Sequence, residues 1–397
     1  MSFVSTVILI SLKNLSSRYI VVDNSLHKLY RPRPCNSEIE TSAGRDLTTS
    51  KTVKNVNKEQ RKLQITGGST YILSLPKEWV TRNALKKGSQ IILHEEEDGS
   101  LSFTPSNLEK KRKQDKAFIK VSTEDNSEAI VRTAISAYLD GYNIIHVKPQ
   151  NQQILSTRLR NHLKSFARNY LVGTEIVIDT PMDLTLQILL NYPDLTVQSA
   201  LSRMSVIASS MHKEAINGLE TLDYLVAKSV VETDREVNRF GLYIVRLLKL
   251  VVSNPRELKE IGLSSPRDCL GYRLIAKSVE RTADHATKIA ENLLLMKAPL
   301  NKDLYYRISQ MSGFAISMFE SAMEALFKRD FYLAESVIEK IAQVHKLEKE
   351  AVVASKNLGI EEIVNLRLLI ESVRRTAEYA SDISEVVLNL NVESVLS

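Results

Sequence analysis

Cysteine is scarce in this chain of 397 residues. Only Cys35 and Cys269 occur, far apart, and neither belongs to a CxxC or Cys/His ligand pattern. Neither a disulfide framework nor a structural zinc site is expected, and a reducing cytoplasm fits such usage best. No run approaches the roughly 20 apolar residues that a membrane helix needs. The short apolar run from Phe3 to Ile10 has no basic residues before it and no small-residue cleavage pattern. It is read as a mimic of a signal peptide. Catalytic signatures are missing too: there is no P-loop, no nucleophile elbow and no HExxH. The seven histidines are scattered, and Gly67-Gly68 reads as a turn rather than part of a GxGxxG. No enzymatic activity is expected.

What is present is an ordinary soluble composition, 43% hydrophobic and 25% charged. The formal net charge of +6 permits an anionic partner without demanding one. Length alone allows two to four domains.

Four regions differ in character. Residues 1–57 mix short apolar runs with Arg31-Pro32-Arg33-Pro34 and a polar stretch, and read as a poorly ordered extension. Residues 58–107 hold short strand-like runs broken by Gly67-Gly68, Pro76, Gly88 and Asp98-Gly99. Some 50 residues of that kind bury little surface alone, and a swapped or interlocked dimer would solve the problem. After the charged linker Lys110-Lys111-Arg112-Lys113, residues 115–182 alternate β-α-β-α-β, a small α/β module without a phosphate-cradling glycine pattern. It reads as a spacer or a small-ligand sensor. From about 184 onward apolar residues recur at three- and four-residue spacing, predicting helices to the end, with an all-helical domain over 190–395.

That helical domain contains one unit twice, over 195–297 and 301–391. A shift of 107 places Met204-Ser205, Ala208, Met211, Ala215, Leu219 and Asp223 on Met311-Ser312, Ala315, Met318, Ala322, Leu326 and Asp330. A shift of 94 places Ser278-Val279, Arg281-Thr282-Ala283 and Ala286 on Ser372-Val373, Arg375-Thr376-Ala377 and Ala380. The shift changes because the loop around Pro255–Pro266 is longer than its counterpart near Gly359. Shared polar identities exceed what a bare helical period produces, so each unit is expected to be three long helices, six in all.

In the first unit, Glu280 and Asp284 stand four apart on one helical face, and Asp234 and Asn238 stand four apart on the preceding helix. Facing carboxylates from two helices supply the oxygen ligands that hard cations or iron prefer. A solvated acidic face paired with Arg281 or Lys288 is the plainer alternative. The stretch Val279-Glu280-Arg281-Thr282-Ala283-Asp284-His285 resembles the signature helix of PhoU proteins. That resemblance implies ExxxD metal sites at Asp234, Asn238, Glu280 and Asp284, holding a divalent or iron-type cation, and a role in phosphate uptake and phosphate-responsive signalling. The second unit departs from the pattern. Arg374 stands in the place of Glu280, Ile341 and His345 stand in those of Asp234 and Asn238, and Arg374 is expected to pair with Glu378. His285 is read as a packing or capping histidine.

The order strand, Leu75-Pro76, short helix, Gly88, strand, Asp98-Gly99, strand resembles the SpoVT/AbrB swapped-hairpin domain over about 45 residues. The resemblance implies an interleaved dimer whose basic rim contacts DNA through Arg61, Lys62, Lys77, Arg82, Lys86 and Lys87. Ser69-Thr70 and Val80-Thr81 stand where relatives that bind DNA carry arginines, so dimerisation alone is the alternative. Together these likenesses describe a multidomain chain of archaeal PhoU type: a small β-rich AbrB-like domain, an α/β middle module and a six-helix PhoU-like domain. The expected protein is a cytoplasmic homodimer that regulates transcription of phosphate-uptake functions. The alternative is an adaptor on a phosphate transporter or signalling protein, with the small domain only dimerising.

Overall fold

The computed structural model describes residues 59–68, 70–95, 99–106, 116–122, 124–151, 153–190, 195–355 and 359–396. The expected extension over 1–57 and the basic linker at Lys110–Lys113 lie outside the described residues. The chain divides into two compact units, one containing residues 59–106 and the other residues 116–396.

In the smaller unit, β1 (Gln64–Thr66) and β2 (Thr70–Ile72) form an antiparallel hairpin. Its turn runs through Gly67 and Gly68 at φ +60° and +86°, the left-handed region that glycine enters without strain. Helix α1 (Lys77–Arg82) follows Pro76, and β3 (Ile91–Glu95) pairs antiparallel with β4 (Leu101–Pro105). Pro105 is the sole buried residue among the described residues of this unit. Leu63, Ile65, Tyr71, Leu93 and Leu101 are each more than half exposed. A single copy has no hydrophobic core here.

The larger unit begins with a sheet. Strands β5 (Lys116–Val121), β6 (Ile144–Pro149), β7 (Thr174–Asp179) and β8 (Leu184–Ile188) lie in the order β5-β6-β8-β7. Helix α2 (Ser127–Leu139) joins the parallel pair β5 and β6, and α3 (Thr157–Tyr170) leads into the β7–β8 hairpin. Asn126 and Ser156 cap the two helices by accepting hydrogen bonds from the amides of Glu128 and Leu159. Both helices supply the core beneath one sheet face, through Ile130, Ala134, Tyr138, Leu159, Leu163 and Ala167. Strand β8 corrects the sequence reading, which ended the module at 182 and began helix near 184. Leu184-Thr-Leu-Gln-Ile alternates as a strand does, but a five-residue apolar run beside a long helical pattern has no length to announce itself. It is an interior strand, hydrogen-bonded on both sides.

Seven helices follow among the described residues. Helices α4 (Val197–Thr221), α5 (Tyr224–Ser253) and α6 (Asp268–Leu295) make the first triplet. The second is α7 (Lys302–Lys328), the pair α8 (Phe331–Glu339) and α9 (Ile341–Ala354), and α10 (Ile360–Asn391). The expected three-plus-three arrangement is present, with one amendment: the middle helix of the second triplet breaks at Lys340, whose ψ of −13° is too flat to carry α-helical hydrogen bonding through it. The repeat governs fine detail. Leu222 and Arg329 both end a helix in the left-handed conformation (φ 55° and 54°), and the next residues, Asp223 and Asp330, both cap the helix that follows.

Positions equivalent under the repeat meet one another. Lys213 lies 107 residues before Glu320, and its Nζ is 2.5 Å from that carboxylate. His285 lies 94 before Tyr379, and their ring centroids are 5.7 Å apart. Such self-contacts mark a pseudo-twofold axis that passes between α4 and α7 and between α6 and α10. Next to it, fully buried His212 makes hydrogen bonds with Ser312 Oγ (2.8 Å) and Thr376 Oγ1 (3.3 Å). Burial pushes its imidazole down to about 4, so it stays neutral.

Arg246 of α5 joins the module to the bundle. It is fully buried. Its guanidinium donates to the carbonyls of Tyr138, Tyr142 (3.0 Å) and Gly141 (3.3 Å) and to Asn143 Oδ1 (2.6 Å), and lies 4.9 Å from the Tyr138 ring centroid. Gly141 is required there on two counts: its φ is +94°, and a Cβ would stand 2.5 Å from Leu250 Cδ2. Arg246→Met keeps the apolar stem but leaves buried carbonyls without their donor. It is expected to cost about 3 kcal/mol, and Arg246→Lys should restore little because an ammonium cannot span the same fork. Guanidinium denaturation followed by circular dichroism measures this, and an unchanged midpoint would refute the latch.

Candidate functional site

The acidic patch forms where α5 crosses α6. Asn238 Nδ2 donates to Asp234 Oδ2 at 2.6 Å and to the Asp234 carbonyl at 3.1 Å, one helical turn back. Asp234 Oδ1 and Asn238 Oδ1 are buried without a hydrogen-bond partner. Burial first, and then the neighbouring charges of Asp284 and Glu280, raise the Asp234 carboxyl to about 7, against the hydrogen bond from Asn238. Glu280 is buried, and its carboxyl is raised chiefly by burial and then by Asp284, with Lys277 and Arg273 opposing. The Lys277 ammonium sits 2.8 Å from Glu280 Oε1, one turn earlier on the same helix and itself buried.

All four residues singled out from sequence are thus drawn into one electrostatic neighbourhood. The donors fit a hard cation in kind: carboxylates and an amide oxygen, two of the oxygens buried and unpartnered. Among the described residues, however, no group of three or more His, Cys, Asp or Glu side chains closes into a cluster able to hold a metal ion. Lys277 supplies the counter-charge to Glu280. Sequence reasoning passed over Lys277, although an i, i+3 spacing to Glu280 is the signal that finds it. It also passed over Tyr170 at the end of α3, whose hydroxyl is raised chiefly by burial, with Arg235 opposing and Asp234 adding to it.

The second triplet is balanced differently. Arg374 pairs with Glu378, as its place in the repeat predicts, and its Nε lies 3.2 Å from Glu348 Oε1. Arg375 adds a second contact to Glu378 at 2.8 Å. His345 lies 3.6 Å from Glu348, and Ile341 opens α9. His285 packs, as expected: it is buried against Tyr379, whose hydroxyl is 3.4 Å from Nε2, and burial pushes its imidazole down to about 3.

In the smaller unit, Arg61 and Lys62 precede β1. Lys77 opens α1, Arg82 closes it, and Lys86 and Lys87 lead into Gly88. All six are exposed, and Arg61 pairs with Glu59. No described helix is long and apolar enough to cross a membrane.

Comparison with known proteins places two families on the chain. A PhoU domain model matches residues 201–293 and 308–387. A model described as antidote-toxin recognition MazE, bacterial antitoxin, matches residues 64–103. The phosphate-specific transport system accessory protein PhoU homolog of Borreliella burgdorferi is 23% identical over 192 residues, covering 45% of this chain and 84% of that protein. The corresponding homolog 1 of Thermotoga maritima is 21% identical over 199 residues, covering 48% and 84%. Among solved structures, PhoU from Pseudomonas aeruginosa aligns with a TM-score of 0.44 at 22% identity, covering 50% of this chain and 96% of that one. The phosphate transport system regulatory protein PhoU from Streptococcus pneumoniae aligns at 0.43 and 18%, covering 51% and 96%.

The patch should register in stability against pH. The folded Asp234 carboxyl holds a proton that the unfolded chain loses near pH 4, so this group's contribution to stability falls as pH rises from about 4 through about 7. In chelator, Asp234→Asn should therefore melt about 2–4 °C above the wild type at pH 8, with the difference closing at pH 5. Equal melting temperatures at pH 8 would refute the coupled patch.

Proposed function

From a chain whose helical half carries a tandem PhoU domain, behind an antitoxin-type β unit at residues 64–103, we propose a phosphate-responsive regulator that acts on DNA. The helical half reads phosphate or metal status, or docks a partner, as an accessory protein of phosphate transport does. The small unit carries the output.

One observation bears most of this reading. The small unit exposes an apolar set, Leu63, Ile65, Tyr71, Leu93 and Leu101, that a lone copy cannot bury. A second copy interleaved through β1–β4 would bury it. The six exposed cations Arg61, Lys62, Lys77, Arg82, Lys86 and Lys87 would then be doubled in the dimer, a footprint for phosphates. In the helical half, Asp234, Asn238, Glu280 and Asp284 would hold a divalent or iron-type cation, which supplies the positive charge that Lys277 now gives to Glu280 alone. The buried unpartnered oxygens of Asp234 and Asn238 favour this over a purely solvated acidic face.

The second reading keeps the PhoU role and drops DNA: an adaptor on a phosphate transporter or signalling protein, dimerised by the small unit. Ser69-Thr70 and Val80-Thr81 favour it, because they leave the hairpin tip and the start of α1 without arginine.

Electrophoretic mobility shift with genomic fragments separates the two. Retardation at low salt is expected, with a log–log salt slope that drops by about one for Lys86→Ala. Tyr71→Asp should yield monomer in light scattering and abolish the shift. No retardation by an intact dimer refutes the DNA role. Unchanged phosphate uptake after deletion of the gene refutes the regulatory role in both readings.

A further inference from the structure

Among the described residues, one sheet face of the middle module carries no helix. Helices α2 and α3 pack on the side lined by Ala117, Ile119, Ile145, Val147, Leu184 and Leu186. The alternate residues point the other way: Lys116, Phe118 and Lys120 on β5, Ile144, His146 and Lys148 on β6, and Thr185 and Gln187 on β8. The pairing register sets them in rows. Phe118 is opposite His146, which is opposite Thr185, and Lys120 is opposite Lys148.

Three features of this face belong together. Phe118 stacks on His146 with centroids 4.8 Å apart and planes 10° from parallel. His146 is fixed in that pose by Thr185 Oγ1, 2.8 Å from Nδ1. Phe118 nevertheless remains 59% exposed on β5, the edge strand of the sheet among the described residues. A large aromatic ring held against a histidine and still mostly exposed can serve as a stacking platform. Cations surround it: the Lys148 ammonium is 5.8 Å from the ring centroid, and Lys116 and Lys120 flank the same ring along β5 without an ion pair among the described residues. Like charges in register, as Lys120 and Lys148 are, repel. Asp183, 3.2 Å from Lys148, offsets one of them and leaves the other without an anion.

We propose that this face binds single-stranded nucleic acid, with a base stacked on Phe118 and the backbone phosphates tracking Lys116, Lys120 and Lys148. An aromatic ring flanked by cations is the chemistry by which a strand is held without reading its sequence. The openness of the face selects a polymer over a mononucleotide, since small-ligand sites are concave and enclose most of their ligand. Duplex DNA is disfavoured because its bases are already stacked on one another and offer no face to the ring. The inference goes beyond the phosphate-responsive role and does not depend on it.

Fluorescence anisotropy of the full chain with a labelled single-stranded oligothymidine tests it. Wild-type protein should bind, and Phe118→Ala should weaken binding about tenfold to a hundredfold. Phe118→Tyr should restore it, and Lys120→Gln should reduce the log–log salt slope by about 0.7. Duplex binding by the small unit should be unaffected by Phe118→Ala, which keeps the two DNA activities distinguishable. If Phe118→Ala perturbs the circular dichroism spectrum, Phe118→Leu tests the ring while keeping an apolar side chain. Wild-type affinity in both Phe118→Ala and Phe118→Leu would overturn the proposal. So would binding that disappears with Lys86→Ala and Lys87→Ala but not with Phe118→Ala, because the small unit would then hold the strand.

Discussion

A single buried guanidinium determines how the larger unit is put together. An arginine is stripped of water only at great cost, and here the two terminal nitrogens of the guanidinium find acceptors while the buried Nε has none. Arg246 finds them at the C-terminal end of α2, where the carbonyls of Tyr138, Gly141 and Tyr142 carry the negative end of the helix dipole. The turn after α2 must therefore hold its shape, Gly141 must remain glycine against Leu250, and Lys249 must lie within 3.1 Å of Asp140. Arg246 and Asp234 sit on the same unbroken helix, 12 residues apart (246 − 234) and hence about 18 Å along the axis. The acidic patch and the anchor of the α/β module share a rigid element, and Tyr170 of that module responds to Asp234 as well.

The pseudo-twofold axis explains a second set of constraints. In a symmetric pair of identical units, a residue on the axis meets its own copy. Lysine against lysine repels, and two buried histidines leave donors and acceptors unmatched. Once both units lie in one chain, the copies can differ. Lys213 now meets Glu320 and His285 meets Tyr379, so each self-contact has become complementary. His212 shows the same freedom: its equivalent under the shift of 107 is Phe319, and the imidazole instead reaches Ser312 and Thr376 of the other unit. These pairs lock one unit to the other in a way that identical units could not reproduce.

Most of this architecture was legible in the sequence where polar identities repeat. Asp223 and Asp330 align because both cap a helix, and a cap requires that side chain. Arg374 beside Glu378 was legible because four residues is one helical turn. Strand β8 was not, because five residues adjoining a long helical pattern give too short a signal for period to decide. The break at Lys340 left no mark, since no proline or glycine stands there and the cause lies in packing. Arg246 was hidden in an apolar run, Tyr243-Ile-Val-Arg-Leu-Leu, where an arginine is read as the polar edge of a helix. Its partners lie more than 100 residues earlier, a separation that no local pattern reports. The acidic patch was half legible: the carboxylates announced themselves, whereas Lys277 did so only once Glu280 was seen to be buried.

The difference between the two triplets follows from the way each disposes of buried charge. In the first, Lys277 pairs with Glu280, while Asp234 keeps a raised carboxyl and a buried oxygen without a partner. In the second, Arg374 and Arg375 both reach Glu378, Arg374 also reaches Glu348, and Arg375 also lies 3.9 Å from Glu371. At Glu378 an incoming ion would have to displace a guanidinium. An unmatched patch gains the whole interaction. The repeat holds two equivalent places, and in the second of them stand Arg374, Ile341 and His345.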